Sequence, residues 1–480
     1  MEREKVLLLN PPGKYKYLRD YYCSHISKGH YYWAPYDLFV IAGQLKLGYE
    51  IIFLDAILEN LSFEQTLEKI ESYLPLKAIV FLTGGVSWKN DLKFLKLLSE
   101  KLKSKSNFLL IGNGDVCLDL KEKILIEYPF IDAIITNFVD NSLLYFLDER
   151  DEDFYYNIIY RSKEGFIKNT IRENSYYVGQ RRFFSYPVPD YLKFPYKKYR
   201  LPHSINPIVA GTITTYGCPF KCSFCVGAKL PVLIRRLDNL YEELSYLQML
   251  DIKELWIKDL TFGVPREHAL AVCKMLKEHF NFKWICLSRV DVLDEKLLSE
   301  MKEAGCHTIQ IGVETASEEL LKKYNKNTKL DQIKKVFALC KKYKIRTLAH
   351  FILGLPGDTK EFVEKTINFA IELDPDIASF NIAAPRMGTD LREKAIEEGW
   401  IFSEDMEIDN SISFPSIETN LLPASELWKL RNKAIRKFYL RPYYIIKRIT
   451  NLKSLYELKT LFLDGWYHLK TTLKKNTEDY

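Results

Sequence analysis

Three cysteines stand within the stretch "TTYGCPFKCSFC" at 214–225, as Cys218, Cys222 and Cys225. Three thiolates from one loop can hold three irons of a four-iron cubane and leave the fourth iron open to another ligand. Gly217 and Pro219 suit a loop that folds tightly round a metal, and Phe224 can offer an aromatic edge to a neighbouring ring. A zinc site and a chance cluster are the alternatives. Structural zinc sites usually combine two separated pairs and four ligands, and no histidine or fourth cysteine lies within this loop. Nine cysteines in 480 residues, with no secretory leader evident, argue for reduced thiols and metal binding over a disulfide framework.

The elements that must position this loop read as two series of alternating strands and helices. Residues 1–148 carry short apolar runs, "KVLLLNPP", "YEIIFLDA", "KAIVFL", "NFLLIG" and "IDAIIT", separated by amphipathic segments such as "DLKFLKLLSEKLK". That pattern predicts an α/β domain of Rossmann-like, doubly wound parallel type. Residues 149–205 break the rhythm with "DERDED", a hairpin signal in "YYNIIYRSKEGFIKN" and a proline-spaced run, which reads as a linker. A second series begins at "IVAGTITTY" and continues through "ELWIKD", "KWICLS", "TIQIGVE", "RTLAHFILG" and "DIASFNIA". Six such units over 206–400 predict an open, partial (β/α)6 barrel, with the cysteine loop after the first strand, at the mouth where barrels keep their chemistry. Residues 401–480 read as a helical C-terminal region from "SELWKLRNKAIRKF" and "NLKSLYELKTLF".

Charge is unevenly placed. The chain carries +6 overall, yet residues 421–480 hold 13 Lys/Arg against 5 Asp/Glu, a local +8. The basic residues are interleaved with Trp428, Phe438, Tyr439, Tyr443, Tyr444, Ile445 and Ile446. Such a region can rest on an anionic membrane surface or cap a barrel with its apolar stripe. Nucleic acid ranks lower, because no nucleic-acid-binding module accompanies the charge. No run of eighteen apolar residues occurs, and a cytoplasmic protein, peripheral to the inner membrane surface through this region, is expected.

The CxxxCxxC spacing of Cys218, Cys222 and Cys225 resembles that of the radical S-adenosylmethionine (SAM) superfamily. The resemblance implies a 4Fe-4S cluster whose open iron chelates SAM, reductive cleavage of SAM to a 5′-deoxyadenosyl radical, and an external electron donor such as flavodoxin or ferredoxin. It implies further cofactor contacts at the barrel rim. By this likeness Asp259 in "IKDLTFG" faces the methionine amino group, Glu314 in "IGVETAS" the ribose, and Lys326 the methionine carboxylate. His350, opening "HFILGLPGDT", stands near the ribose, and Gly354 belongs to the family's turn. Arg289 and Asp291 in "SRVDVLD" also fit the family and read equally well as a buried structural ion pair.

The N-terminal "LLNPP" and "YDLFVIAGQLK", with the Rossmann-like domain before the cluster loop, look like the cobalamin-binding subgroup, which includes methylases and an anaerobic porphyrin-ring cyclase. On that likeness Thr83, Gly84 and Ser87, after the third strand, and Gly112 and Gly114, after the fourth, are candidate cobalamin contacts. The chain departs from the subgroup in places. It has no Asp-x-His-x-x-Gly, carries "LLIGNGDV" where members often have Gly-Gly-x-His, and "TNFVDN" where they often have Gly-Glu-x-Glu. With only Cys23 and Cys117 in the first domain and no cysteine after Cys340, one cluster is the expected complement.

Three function classes follow. The leading one is cobalamin-dependent C-methylation of an unactivated carbon in a small-molecule or lipid-like substrate. The second is radical cyclisation, coupling or oxidation without cobalamin, and the third a non-catalytic iron-sulfur protein. No catalytic acid, base or hydrogen-atom donor stands out.

Overall fold

The computed structural model describes residues 3–463 except 22, 23, 28, 30, 172–182, 402–415, 420, 453, 455 and 462. Cys23 and parts of the expected C-terminal helices therefore lie outside the described residues. Two compact units are present: Met1–Ser27, Tyr32–Tyr199 and Arg235–Glu243 form one, and Lys28–Tyr31, Arg200–Ile234 and Leu244–Tyr480 the other.

The first unit is built on a seven-stranded sheet of β1 (Lys5–Asn10), β2 (Glu50–Asp55), β3 (Ala78–Thr83), β4 (Leu109–Gly114), β5 (Ala133–Ile135), β6 (Ile158–Arg161) and β7 (Ile167–Asn169). Their order is β2-β1-β3-β4-β5-β6-β7, and the first five run parallel. All six residues of β3 are buried, as a strand covered on both faces requires, so its sequence "AIVFLT" is an unbroken apolar run closed by threonine. The covering helices include α1 (Tyr36–Leu45), buried along its whole length, α2 (Phe63–Ser72), opened by a Ser62–Gln65 capping box, and α3 (Trp88–Leu102). Strand order 2-1-3-4-5 places a topological switch point between β1 and β3, where open α/β sheets hold their ligands.

The hairpin expected within the linker does form, yet it is no linker: β6 pairs antiparallel with β5, and β7 with β6. Tyr160, Ile159 and Ile158 are buried on it, so residues past 148 complete the sheet edge of the first unit.

The second unit holds six parallel strands in sequential order: β8 (Val209–Thr212), β9 (Glu254–Ile257), β10 (Lys283–Ser288), β11 (Cys306–Glu314), β12 (Arg346–Leu353) and β13 (Ile377–Ile382). This is the open six-unit barrel. Helices α4 (Arg266–His279), α5 (Glu295–Glu303), α6 (Glu318–Lys323), α7 (Leu330–Lys342) and α8 (Lys360–Leu373) follow its strands. The helix α9 (Asp390–Glu397) comes after β13.

Past it, α10 (Ala424–Tyr439) lies on α8 and β13, burying Leu427, Leu430, Ala434 and Phe438. Its Tyr439 hydroxyl donates to the Ala378 carbonyl at 2.7 Å and accepts from the Ala378 amide at 3.2 Å. The next helix, α11 (Pro442–Thr450), sits at the N-terminal ends of the strands, where Tyr444 donates to the Asp376 carbonyl and Lys447 to Asp374. Beyond it Glu457 pairs with buried Arg346, the first residue of β12. No helix among the described residues is long and apolar enough to cross a membrane.

Candidate functional site

The cysteine loop leaves β8 at the C-terminal mouth of the barrel and is tied down before its first thiol. Asp259, just past β9, accepts from the amides of Thr214 at 2.6 Å and Thr215 at 3.0 Å and from the Thr214 hydroxyl. Burial pushes its pKa up, and the threonine hydrogen bonds pull it back. Through these three hydrogen bonds Asp259 positions the loop. Farther along, the Ser223 amide donates to the Tyr324 carbonyl at 3.1 Å, and the Leu391 amide to the Ser223 carbonyl at 3.0 Å. Phe224 packs half-buried against the cluster of Leu320, Leu355 and Leu391, with its ring 6.5 Å from that of Tyr324, so it anchors the loop to the barrel.

The thiols surround a small cradle. A Cβ on Gly227 would lie 2.8 Å from Leu260, 3.4 Å from Cys225 Sγ and 3.9 Å from Cys218 Cβ. Among the described residues no three His, Cys, Asp or Glu gather round a single ion. Cys218 Sγ is 3.5 Å from the Thr261 hydroxyl, and Cys222 Sγ accepts from Arg289 Nη1 at 3.1 Å. Burial raises the Cys222 thiol, against the lowering pull of Lys326 and Arg289, so cations already face the ligand meant to become a thiolate. The donor set and its cationic surroundings fit a negatively charged iron-sulfur cluster.

The rim beside this loop is built on a distorted strand end. Glu314 closes β11 at φ +68°, a left-handed conformation that costs a non-glycine residue energy, and the β11–β12 register shifts between Gly312 and Glu314. The distortion brings Glu314 Oε1 to 2.8 Å from Lys326 Nζ, with the two side chains 8% and 6% exposed. Gly312 makes room for that pair, since a Cβ there would lie 2.2 Å from Glu314 Oε1 and 2.7 Å from Lys326 Nζ. His350, in register with Gly312, bonds Gln310 Oε1 through Nε2 at 3.1 Å. Gly354 turns the chain at φ +82°, and any Cβ on it would strike Leu427 of α10 at 2.3 Å. Its amide donates to Asp358 Oδ2, while Asp358 Oδ1 is buried without a partner and burial pushes that carboxyl up to about 7. Sequence reasoning passed over Gly312 and Gly227. A glycine inside a strand, two residues before an expected cofactor contact, was the available signal for Gly312.

In the first unit the switch point is filled by a buried ionic network. Arg19 Nη2 meets Asp91 Oδ1 at 2.5 Å with both side chains 0% exposed, and Arg19 also donates to Ser87 Oγ, Asn10 Oδ1 and the Pro11 carbonyl. Thr83 and Ser87, two of the candidate cobalamin contacts, donate their hydroxyls to Asp91 at 2.9 and 2.6 Å. Gly84 packs on Ser24, and Gly114, at φ +138°, lies where a Cβ would be 1.9 Å from the Thr83 carbonyl oxygen. Gly112 faces Phe81, Cys117 and Ile134 inside the sheet. These five positions shape the strand ends, and Gly85 is the half-buried residue on this loop.

Residues 212–370 match the family profile of the Radical SAM superfamily. With the cysteine loop at a partial barrel's mouth, the chain thus carries a radical SAM domain, and that domain implies the 4Fe-4S cluster and SAM. Beyond the barrel, its fold is that of the cobalamin-dependent subgroup. The radical enzyme OxsB, solved with aqua-cobalamin, aligns with 98% of this chain and 72% of its own at TM-score 0.68 and 15% identity. The methyltransferase TsrM from Kitasatospora setae, solved with cobalamin and a [4Fe-4S] cluster, covers 83% of this chain and 78% of its own at TM-score 0.64 and 19% identity. In sequence, an uncharacterised methyltransferase of Pyrococcus horikoshii is 29% identical over 86% of this chain and 90% of its own. An anaerobic magnesium-protoporphyrin IX monomethyl ester cyclase of Rubrivivax gelatinosus is 26% identical over 86% and 75%.

Proposed function

We propose that the chain is a cobalamin-dependent radical SAM C-methyltransferase acting on an unactivated carbon of a small molecule. The observation that carries this reading is likeness across both units, not the barrel alone, to the methyltransferase of Pyrococcus horikoshii. When bound, the cluster and SAM supply a 5′-deoxyadenosyl radical and cobalamin a transferable methyl group, while the protein orients and excludes water. Cys218, Cys222 and Cys225 hold three irons. Lys326 and Glu314, paired with each other at the rim, would hold the methionine carboxylate and the ribose of SAM. His350 with Gln310, level with Gly312 below the pair, and the Gly354 turn border the same rim. An external low-potential donor such as flavodoxin or ferredoxin supplies the electron.

A second reading, radical cyclisation, coupling or oxidation without cobalamin, is favoured by the closed Arg19–Asp91 network. A cofactor tail entering between β1 and β3 has to break it, whereas one resting on the outer face of the loop at Gly85 does not. Anaerobic purification separates the readings: bound corrin absorbance supports the first, and its absence after cobalamin supplementation supports the second. Both require that Cys222→Ala lose the cluster's iron and the cleavage of SAM to 5′-deoxyadenosine. Retention of both in that variant refutes the radical SAM assignment of this loop.

For the C-terminal region we propose peripheral contact with an anionic lipid surface through α11 and the turn before it, where Leu440, Tyr443, Ile446 and Ile449 are 58–68% exposed beside Arg448. The location of α11 at the N-terminal strand ends turns the barrel mouth away from that surface, so the region lends no support to a lipid-like substrate. Co-sedimentation with phosphatidylglycerol vesicles at low salt is expected for the full chain and is lost in the double variant Tyr443→Ser/Ile446→Ser. No pelleting of the full chain overturns the contact.

A further inference from the structure

Arg289 is held more tightly than an ion pair requires. Its Nε and Nη2 donate to Asp291 Oδ1 and Oδ2 at 2.9 and 2.7 Å, a bidentate fork. Nη2 also donates to the Lys326 carbonyl at 2.7 Å, and the guanidinium carbon lies 3.8 Å from the centre of the Phe220 ring, inside the cysteine loop. Stacked and forked in this way, with its side chain 7% exposed, the group has one orientation, and in it Nη1 points at Cys222 Sγ from 3.1 Å.

We propose that Arg289 is a positioning residue that sets the reduction potential of the cluster, with Asp291 opposing it. The inference rests on the cluster assignment above. A cationic N–H donated to the buried sulfur of Cys222 stabilises whichever oxidation state carries more negative charge on the sulfurs. That is the one-electron-reduced state, the electron coming from the external donor. Arg289 therefore raises the potential. Asp291 fixes the fork and offsets part of its charge, so removing the Asp291 charge raises it further. The Lys326 carbonyl bond makes the same guanidinium a brace for the ammonium that pairs with Glu314, linking the cluster ligand to the rim.

The test is an electron paramagnetic resonance-monitored redox titration of the reconstituted full chain, with iron and sulfide content measured on each sample. At the wild-type midpoint, Arg289→Gln is expected to show about a tenfold lower ratio of reduced to oxidised cluster, a shift of about 59 mV for one electron. Arg289→Lys, which keeps the charge and loses the fork, falls between the two, and Asp291→Asn shifts the ratio the opposite way. A merely structural Arg289 changes iron content or stability without this pair of opposite shifts. Full four-iron occupancy in Arg289→Gln with an unchanged ratio overturns the proposal and leaves the cluster assignment standing. Loss of iron from wild type and variants alike overturns the assignment itself. Should Arg289→Gln assemble no cluster, Arg289→Lys and Asp291→Asn carry the same comparison, and shifts of one sign in both refute it.

Discussion

Replacing Glu314 by alanine isolates the buried pair at the rim. The change deletes the carboxylate 2.8 Å from Lys326 Nζ and leaves an ammonium only 6% exposed without its counter-charge. Breaking a buried pair by removing one partner costs about 3–5 kcal/mol, whereas replacing both partners by apolar groups is neutral or stabilising by about 1–4 kcal/mol. Glu314→Ala is therefore expected to destabilise the cluster-free protein by about 3–5 kcal/mol, and Glu314→Ala/Lys326→Met to recover most of that loss. The backbone supplies an internal control. Because residue 314 sits at φ +68°, Glu314→Gly removes the same carboxylate while relieving roughly 1–2 kcal/mol of left-handed strain. The glycine variant should thus be the more stable of the two single variants. Urea unfolding under anaerobic conditions, followed by tryptophan fluorescence, reads all four proteins. Calorimetry on the reconstituted enzyme reads the functional side: Glu314→Ala weakens SAM binding by about 1–3 kcal/mol with iron content unchanged. A single variant as stable as wild type, or a double variant no better than the single, refutes the pairing argument. Unchanged SAM affinity refutes the ribose contact.

Two further outcomes follow from buried charge. Burial raises Asp358 from the ordinary carboxylate range to about 7, so between about pH 4 and pH 7 the unfolded chain has lost a proton that the folded one keeps, and stability falls as pH rises through that window. Asp358→Asn should flatten this fall in urea midpoints measured from pH 5 to pH 7.5, and an equally steep fall in the variant refutes it. Glu457→Ala strands buried Arg346 and is expected to cost about 3–5 kcal/mol, which urea unfolding measures; a change under about 0.5 kcal/mol would place Glu457 among ordinary surface groups.

Much of this architecture was legible in the sequence because its signals are local. The eleven apolar runs that mark β1–β5 and β8–β13 are each a few residues long, and the cysteine spacing lies within a single loop. What stayed hidden depends on residues far apart in the chain. Arg19 and Asp91 are each unremarkable surface-type residues until two loops fold together, which is why Thr83 and Ser87 read as ligand contacts and prove to be donors to Asp91. The hairpin at 158–169 was read correctly as a hairpin and wrongly as a linker, since nothing local states which edge it joins. Glu314 and Lys326 were picked out at the rim, but their mutual pairing depends on a register shift and a left-handed backbone that a strand-like run does not announce.

The Tyr439 hydroxyl, bonded to both backbone groups of Ala378, bears on how this protein is made. A six-stranded barrel stops short of closure, and an open edge offers its amides and carbonyls to any passing strand. Here a side chain from a helix stands in at Ala378 for the missing neighbour. Synthesis produces β13 well before α10, so on the ribosome that edge emerges bare. The interval before residue 439 is in place is thus when this edge of a nascent chain is exposed to pairing with its neighbours on the same message, and variants that delay the docking of α10 are expected to lengthen it.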